Sequence, residues 1–574
     1  MTQQVTSSNG ELLFLPLGGA GEIGMNLNLY GFGGKWIMVD CGITFADDSM
    51  PGVDIVLPDP QFIEEESSNL LGLLLTHAHE DHIGAVAHLW PRLRCPVFAT
   101  PFTSALVASK LEEAGLLSDV PLNIVPVSGS VTLGDFDVRY IPITHSIPEA
   151  HSLSLKTPVG TVLHTGDWKL DPMPVVGDAT SPDPYCALGD QGVLALICDS
   201  TNVFRPGNSG SEQSVRESLE NIVSQATGRV AITTFASNVA RIKSILAIAE
   251  ACERHIVLVG RSMWRTVHAA CATGHLDAAT ELLSDVDAGY LPPEKLLLVC
   301  TGCQGEPRGA MSRIAFGDHP HIGLEAGDLA IFSSKIIPGN ERSIDRVQNQ
   351  LATSDVQIVT EKDHFVHTSG HPSRDELAEM YAWTRPELAV PVHGEARHLQ
   401  EHAKYALELG AGSSIVIRNG DLLRLHPGPG EIVGHVPVGR LALDGRKLVA
   451  EDSGNLQMRR RLMFNGLIAV TILLNHEGAL ELPPRVLARG VPGTENSGFE
   501  GLASQKTDED IRALPRGKRN DDDAIDNAVR RTVRRLLKPL TFGRPPIEVD
   551  IIRMPSNMTG ATKRGMGHQQ TVKA

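Results

Sequence analysis

Residues 76 to 84 read Thr-His-Ala-His-Glu-Asp-His-Ile-Gly, directly behind the apolar run Leu70-Leu71-Gly72-Leu73-Leu74-Leu75. That run has the length of a buried strand. A strand ending in His77, His79, Asp81 and His82 brings imidazole nitrogens and a carboxylate to one point, as a divalent metal site requires. In extended chain His77 and His79 share a face. Asp81 and His82 lie past the strand end, where a turn can aim them at a second ion. A His-rich surface loop that binds nothing is the bland reading, but four donors in six residues behind a buried strand argue against it.

Three later segments repeat the pattern singly. Ile141-Pro142-Ile143-Thr144 ends in His145, Leu163-His164-Thr165-Gly166 in Asp167, and Pro391-Val392 in His393. With the first cluster they make seven donors, enough for two cations if Asp167 bridges. One site would then hold His77, His79 and His145, the other Asp81, His82 and His393. Asp199 is a possible eighth donor, although an acid behind the ligands, orienting histidines, fits it better.

The pattern of elements places these donors. Residues 12–17, 36–40, 70–76, 97–99, 137–143, 161–164 and 193–198 read as strands, and 101–114 as a helix. From about residue 209 strands and helices alternate, with helix 211–225 capped by Ser211, strand 230–235, helix 239–252 and strand 256–259, then strands 296–300, 329–333 and 356–360. Such alternation predicts a parallel, doubly wound unit. Donor-bearing strand texture resumes at 367–371 and 390–394. The expected division is 1–208 and 366–450 as two parts of one domain, 209–365 as an insertion, 451–555 as a linker and small α/β domain, and 556–574 as a flexible tail.

Composition matters chiefly for what it excludes. With 574 residues the chain needs several domains. It has no apolar run near the roughly 20 residues of a membrane span, and its first residues lack the features of a secretory signal, so a cytoplasmic location without membrane contact is expected. The eight scattered cysteines, Cys300 and Cys303 included, read as reduced, packed thiols. A formal charge of −17 excludes an overall basic protein, not a local positive groove. Residues 491–526, rich in Gly, Pro and charge blocks, are expected to form a flexible excursion. The basic cluster Arg530, Arg531, Arg534, Arg535 and Lys538 suits either a solvated helix face or contact with phosphates or another subunit.

The His77–His82 cluster, His145, Thr165-Gly166-Asp167 and His393 resemble the metallo-β-lactamase fold. The insertion before the last His is similar to that of the β-CASP nucleases. The segments Gly18 to Asn26, Asp199-Ser200-Thr201-Asn202, Thr234 to Asn238, Ile337-Pro338-Gly339-Asn340-Glu341, His367-Thr368-Ser369-Gly370-His371 and Pro391 to Glu395 resemble the bacterial ribonuclease J family over roughly residues 11 to 450. The resemblance implies an αββα sandwich of the α/β class with an inserted doubly wound β-CASP domain and a small α/β C-terminal domain. It also implies two divalent ions, Zn²⁺ with Mn²⁺ or Mg²⁺ as alternatives, generating hydroxide for attack on RNA phosphodiesters.

By the same resemblance Asp81 and His371 are catalytic, and Ser237, Asn238 and the run His367, Thr368, Ser369, Gly370 and His371 bind substrate. Ser237 and Asn238, at the start of a helix, would read a 5′ monophosphate, although an ordinary N-cap pair would look the same. Pro372, where the family usually has a small residue, departs from the pattern. The implied activity is 5′-to-3′ exoribonuclease with endonuclease action on single-stranded RNA, in rRNA processing and mRNA decay, by a homodimer or homotetramer. A hydrolase of small esters or thioesters explains the metal ligands equally well but leaves the insertion without a purpose. A catalytically silent RNA-binding subunit is at odds with the complete donor set.

Overall fold

A computed structural model describes residues 10–47, 49–495 and 497–555. The chain divides into two compact units, Met1–Phe45 with Ile55–Leu441, and Ala46–Asp54 with Ala442–Ala574. The tail expected at 556–574 lies outside the described residues.

The first unit contains two facing sheets. One has eight strands in the order Glu431–His435, Asp421–His426, Leu12–Gly18, Leu27–Phe32, Lys35–Val39, Leu70–Leu74, Val97–Ala99 and Leu122–Ile124. The other has seven, in the order Ser130–Leu133, Phe136–Pro142, His151–Thr157, Gly160–His164, Ala195–Asp199, Leu388–Val392 and Ser413–Ser414. Phe14, Tyr30, Ile37 and Leu74 of the first meet Tyr140, Leu153, Val162, Ile197 and Val390 of the second in one core. Burial of this apolar area, at about 25 cal/mol per Å², drives the sheets together. Behind the second sheet, Leu163, Leu196, Cys198 and Ala389 pack on Tyr185, Leu377, Met380 and Tyr381 of the helices Asp183–Gln191 and Arg374–Thr384. Across the first, Trp36 meets Phe62 edge to face at 5.3 Å. The layers are therefore αββα.

A third sheet of the same unit is wholly parallel, in the order His255–Val259, Leu296–Cys300, Val230–Thr233, Leu329–Phe332 and Gln357–Val359. Connections leave Val230–Thr233 toward one edge and Leu329–Phe332 toward the other. A crevice therefore opens past the carboxyl ends of these two neighbours, where doubly wound sheets commonly bind ligands. Residues 234–238 and 333–335 follow those ends.

The second unit carries the three-stranded sheet Arg485–Arg489, Leu467–Leu474 and Ile547–Arg553, the last two parallel. The helices Phe499–Ala513 and Asp522–Leu537 share its core. The first of these corrects the expected flexible excursion: Phe499, Ala503, Thr507 and Ile511, four apart, form a buried stripe that the surrounding glycines and charges mask. In the second helix Ile525, Ala528, Val529, Thr532 and Val533 face inward, while Arg530 pairs with Asp526 at 2.6 Å and Arg535 with Asp510 at 3.1 Å, so part of the basic cluster is spent internally.

The strand texture expected at 367–371 is absent; that segment is a loop whose polar groups bond to other segments. All eight cysteines are free thiols. Among the described residues no helix is long and apolar enough to cross a membrane.

Candidate active site

All seven sequence-predicted donors lie in the turns and the short helix that follow strand ends on one rim of the sandwich. The turn after Leu70–Leu74 delivers His77 and His79, and the one-turn helix Glu80–Ile83 carries Asp81 and His82. Close packing fixes this turn, because a Cβ on Gly42 would lie 1.6 Å from the Asp81 carbonyl oxygen. The donors form two groups, His77 with His79 and His145, and Asp81 with His82, Asp167 and His393, each with its ligand atoms within 4.8 Å of one another. The His77 and His82 ring centroids are 4.0 Å apart, so the groups adjoin.

The proton positions in the first group can be deduced. His145 Nδ1 lies 2.5 Å from the Gly370 carbonyl oxygen, which only accepts, so its Nε2 carries a lone pair. Thr76 Oγ1 donates to Asp40, so it accepts from His77 Nδ1 at 3.0 Å, leaving a lone pair on His77 Nε2. Both Nε2 atoms point at His79 Nδ1, at 3.1 and 3.0 Å. One proton on His79 cannot serve two such contacts, and three convergent nitrogens fit a cation at Zn–N distances near 2.0–2.1 Å. Burial first, then the neighbouring imidazoles, keep His77 and His145 well below the usual histidine range, and burial brings His79 to about 4. Neutral rings are what metal ligation needs.

In the second group His82 Nε2 is 3.1 Å from Asp167 Oδ2 and 3.5 Å from Asp81 Oδ2, and His393 Nε2 is 3.4 Å from Asp167 Oδ2. Burial opposes charge on His82, but Asp167, Asp81 and Asp40 outweigh it and raise its pKa. A cation would take the place of that proton. Burial opposes charge on Asp167 too, and His393 and His82 reverse the balance and hold it well below the carboxylate range.

Behind the donors stand residues that single-position reading did not flag. Asp40 follows the strand Lys35–Val39 with φ 63° and bonds His82 Nδ1 at 2.7 Å. Asn26 Oδ1 is 3.0 Å from His393 Nδ1. Asp40 carried a usable signal, an acid at a strand end like Asp167. Asn26 had only its place after the glycine-rich turn, whose Gly19 carbonyl accepts the His393 N–H at 2.6 Å.

His371 stacks on His393 with centroids 5.5 Å apart, and its Nδ1 bonds Asp199 Oδ2 at 2.8 Å. Asp199 thus orients a histidine. Burial opposes the imidazolium, yet Asp199 above all, then Asp167 and Asp81, raise His371 to about 9. Gly370 is required beside it, since a Cβ there would meet His145 Cε1 at 2.7 Å.

The other candidate substrate residues fare differently. Ser369 Oγ accepts from Asn202 Nδ2 at 2.7 Å, and Thr368 Oγ1 donates to the Ser209 carbonyl at 2.7 Å, so both brace the loop. Asn238 is buried; its Oδ1 caps the helix Val239–Ala251 through Arg241 N, and its Nδ2 reaches Glu212 Oε1 at 3.3 Å. Its side chain is therefore already committed, while Ser237 stays half-buried at the crevice. His367 has a buried Nδ1 without a hydrogen-bond partner. Beneath the crevice, Arg241 and Glu212 form a buried pair at 3.0 Å, and Arg241 Nη1 also donates to the Ser333 and Val366 carbonyls at 3.0 and 2.9 Å.

An αββα sandwich with two adjoining His/Asp groups on its rim, interrupted by a parallel sheet domain, defines a metal-dependent hydrolase of the metallo-β-lactamase superfamily, whose family profile matches residues 26–233. Further profiles match the ribonuclease J β-CASP domain at 227–351, the Zn-dependent metallo-hydrolase RNA specificity domain at 355–417 and the ribonuclease J C-terminal domain at 454–554. The chain is 43% identical to ribonuclease J of Sinorhizobium meliloti over 95% of its own length and 98% of that protein's. To ribonuclease J of Mycobacterium tuberculosis it is 37% identical, over 95% and 98%. To that of Thermus thermophilus it is 35% identical, over 82% and 84%. A solved Enterococcus faecalis protein of unknown function shares the fold, with TM-score 0.50 and 15% identity over 72% of this chain and 100% of that one. The chain belongs to the ribonuclease J family, the metal-dependent β-CASP ribonucleases.

Proposed function

We propose that this protein degrades single-stranded RNA from the 5′ end, prefers a 5′ monophosphate, and also cuts internally. The observation that carries this reading is His371, held by Asp199 and stacked on the donor His393, which sets an imidazole beside a cation-ready donor set. The seven residues His77, His79, Asp81, His82, His145, Asp167 and His393 would hold two divalent ions. Mixed imidazole and carboxylate donors suit Zn²⁺ first, and Mn²⁺ or Mg²⁺ next. When bound, such ions supply Lewis acidity that acidifies water and offsets phosphodiester charge.

The chain's own residues do the rest. Asp199 fixes the His371 ring, so that Nε2–H is available at neutral pH to bind the scissile phosphate and protonate the departing 3′ oxygen. Asp81, with 31% of its side chain exposed, is the carboxylate that reaches the cleft and completes the catalytic pair. Ser237, held at the helix start that Asn238 caps, receives the 5′ phosphate with the His367–His371 loop. In this division the segments 1–208 and 366–450 perform the chemistry, 209–365 reads the RNA end, and 451–555 serves assembly into a homodimer or homotetramer. RNA processing and decay in the cytoplasm is the setting that fits.

The test is a time course with one RNA carrying 5′ monophosphate, triphosphate or hydroxyl ends, with each metal. Mononucleotide release, fastest from the monophosphate, is expected. Release at equal rates from all three ends would remove the 5′-end reading, and no cleavage with any metal would remove the nuclease mechanism.

A further inference from the structure

The basic cluster of the second unit is only partly spent on internal pairs. In the helix Asp522–Leu537 the residues Ile525, Ala528, Val529, Thr532 and Val533 face the core, and helical spacing then puts Arg531, Arg534 and Lys538 on the opposite side. All three are exposed. The two acids that this helix's cations do meet, Asp526 and Asp510, are taken up by Arg530 and Arg535. Among the described residues Arg531, Arg534 and Lys538 have no carboxylate within ion-pair distance, in a chain with 68 acidic and 51 basic residues. They form a row along about 10 Å of helix axis.

The chain beyond the helix adds aromatic rings. Thr541 N bonds the Leu537 carbonyl at 3.1 Å, Gly543 N bonds Thr541 Oγ1 at 3.0 Å, Arg544 N bonds Asn465 Oδ1 at 3.1 Å, and the Pro546 carbonyl accepts from Ile468 N at 3.0 Å. The backbone of this turn is thus pinned from both sides. Phe542 nevertheless stands fully exposed at its tip, and Phe464, next to the Asn465 that pins it, is 65% exposed. Arg544 is exposed beside them and, among the described residues, has no carboxylate within ion-pair distance. A phenylalanine left in water forgoes the burial that ordinarily stabilises one. The helix dipole favours Arg534 and Lys538 near the C-terminus, but it leaves Arg531, Arg544 and both rings without a purpose.

We propose that Arg531, Arg534, Lys538, Phe542 and Arg544 form a second RNA-binding surface, on the C-terminal unit, that holds the body of a long single strand while its end is cut. The assignment rests on the ribonuclease reading above. Unpaired cations in a row take phosphates, and a bare ring at the end of the row takes a base by stacking, a combination that binds single strands with little regard to sequence. A second copy of the chain fits less well, because contact between like patches about a twofold axis would set this row of cations against itself. Holding the strand raises the effective concentration of its end, so the gain arises only with RNA long enough to reach both places.

The experiment measures KM and kcat of the full-length protein on single strands of about six and about forty nucleotides with the same 5′ end, lengths well separated on the scale of the roughly 4–16 nucleotides that one single-strand groove covers. The proteins are wild type, the joint Arg531→Gln, Arg534→Gln, Lys538→Gln variant, Phe542→Ala, and the charge-keeping Arg531→Lys, Arg534→Lys, Lys538→Arg variant. The joint Gln variant is expected to raise KM on the long RNA about tenfold, the loss of three exposed charge contacts. Phe542→Ala should raise it about fivefold, the loss of one stacked base. KM on the short RNA and kcat on both should hold, and the charge-keeping protein should stay near wild type. The salt dependence of long-RNA binding should flatten by about 0.7 in log–log slope per cation removed. Unchanged KM on the long RNA in the joint Gln variant overturns the proposal, as does an equal rise on both lengths. Sedimentation of each variant accompanies the kinetics, and a smaller assembly in the joint Gln variant overturns it in favour of a subunit contact. A wild-type protein that cuts neither RNA shows instead, before any variant is made, that the underlying reading has failed.

Discussion

Replacing Asp40 by asparagine isolates one charge behind the second donor group. Asp40 sits at φ 63°, in the left-handed region that asparagine also tolerates, so the backbone has no reason to move. Its Oδ1 accepts from Thr76 N at 2.9 Å, and its Oδ2 from Thr76 Oγ1 at 2.8 Å and His82 Nδ1 at 2.7 Å. In Asp40→Asn the amide oxygen can stay on Thr76 N, which leaves the NH₂ facing His82 Nδ1. To accept from it, the imidazole must move its proton to Nε2, the atom 3.1 Å from Asp167 Oδ2 that would serve as the metal donor. A protonated Nε2 has no lone pair for a metal. Losing such an outer partner typically costs 10–100-fold in metal affinity or activity, or about 1.4–2.8 kcal/mol. Chelator competition gives the affinity, and RNA cleavage at rising metal concentration gives the rate, with partial recovery expected at high metal. Wild-type affinity and rate in a folded Asp40→Asn protein would refute the tautomer argument.

Other outcomes follow from the same geometry. Gly42→Ala should abolish cleavage and metal uptake, because its Cβ meets the Asp81 carbonyl oxygen at 1.6 Å; normal metal stoichiometry in that variant would show that the turn adapts. Exhaustive chelation should end cleavage and lower the melting temperature, since seven clustered donors lose their counter-charge, and added Mn²⁺ or Zn²⁺ should restore both; a chelated protein that still cuts RNA would contradict the mechanism. Arg241→Met leaves Glu212 buried without its partner and should cost about 3–5 kcal/mol in urea unfolding, against a much smaller loss for the joint Arg241→Met, Glu212→Leu protein. Burial pushes the thiols of Cys300 and Cys303 up to about 12, so a thiol reagent at pH 8 should label them only after denaturation.

The donors were legible because each lies shortly past the end of an apolar strand, a local pattern that survives without knowledge of neighbours. The Leu388–Val392 strand and His393 could be read that way across an insertion of well over a hundred residues. What escaped was relational. Asn26, Asn202 and Asp40 are single polar residues whose roles exist only once distant segments meet. The strand His151–Thr157 was missed because its serines are buried beside its leucines, Ser152 satisfied by the Thr165 carbonyl, so neither alternation nor an apolar run marks it. The helix Phe499–Ala513 escaped because flanking glycine, proline and charge outweighed a stripe of four buried residues. For Asn238 the sequence allowed either a phosphate reader or an N-cap, and only the structure shows its side chain capping the helix Val239–Ala251.

The strand Leu388–Val392 lies one in from the edge of its sheet, between Ala195–Asp199 and Ser413–Ser414, and hands His393 to a group whose other members were made some two hundred residues earlier or more. On the ribosome, all donors of the first group have been made once His145 has emerged, but the Gly370 carbonyl that orients His145 and the strand that carries His393 come much later. A nascent chain therefore lacks part of the centre until residue 393 has been made. The metal-dependent activity is withheld from every chain not yet elongated past that strand.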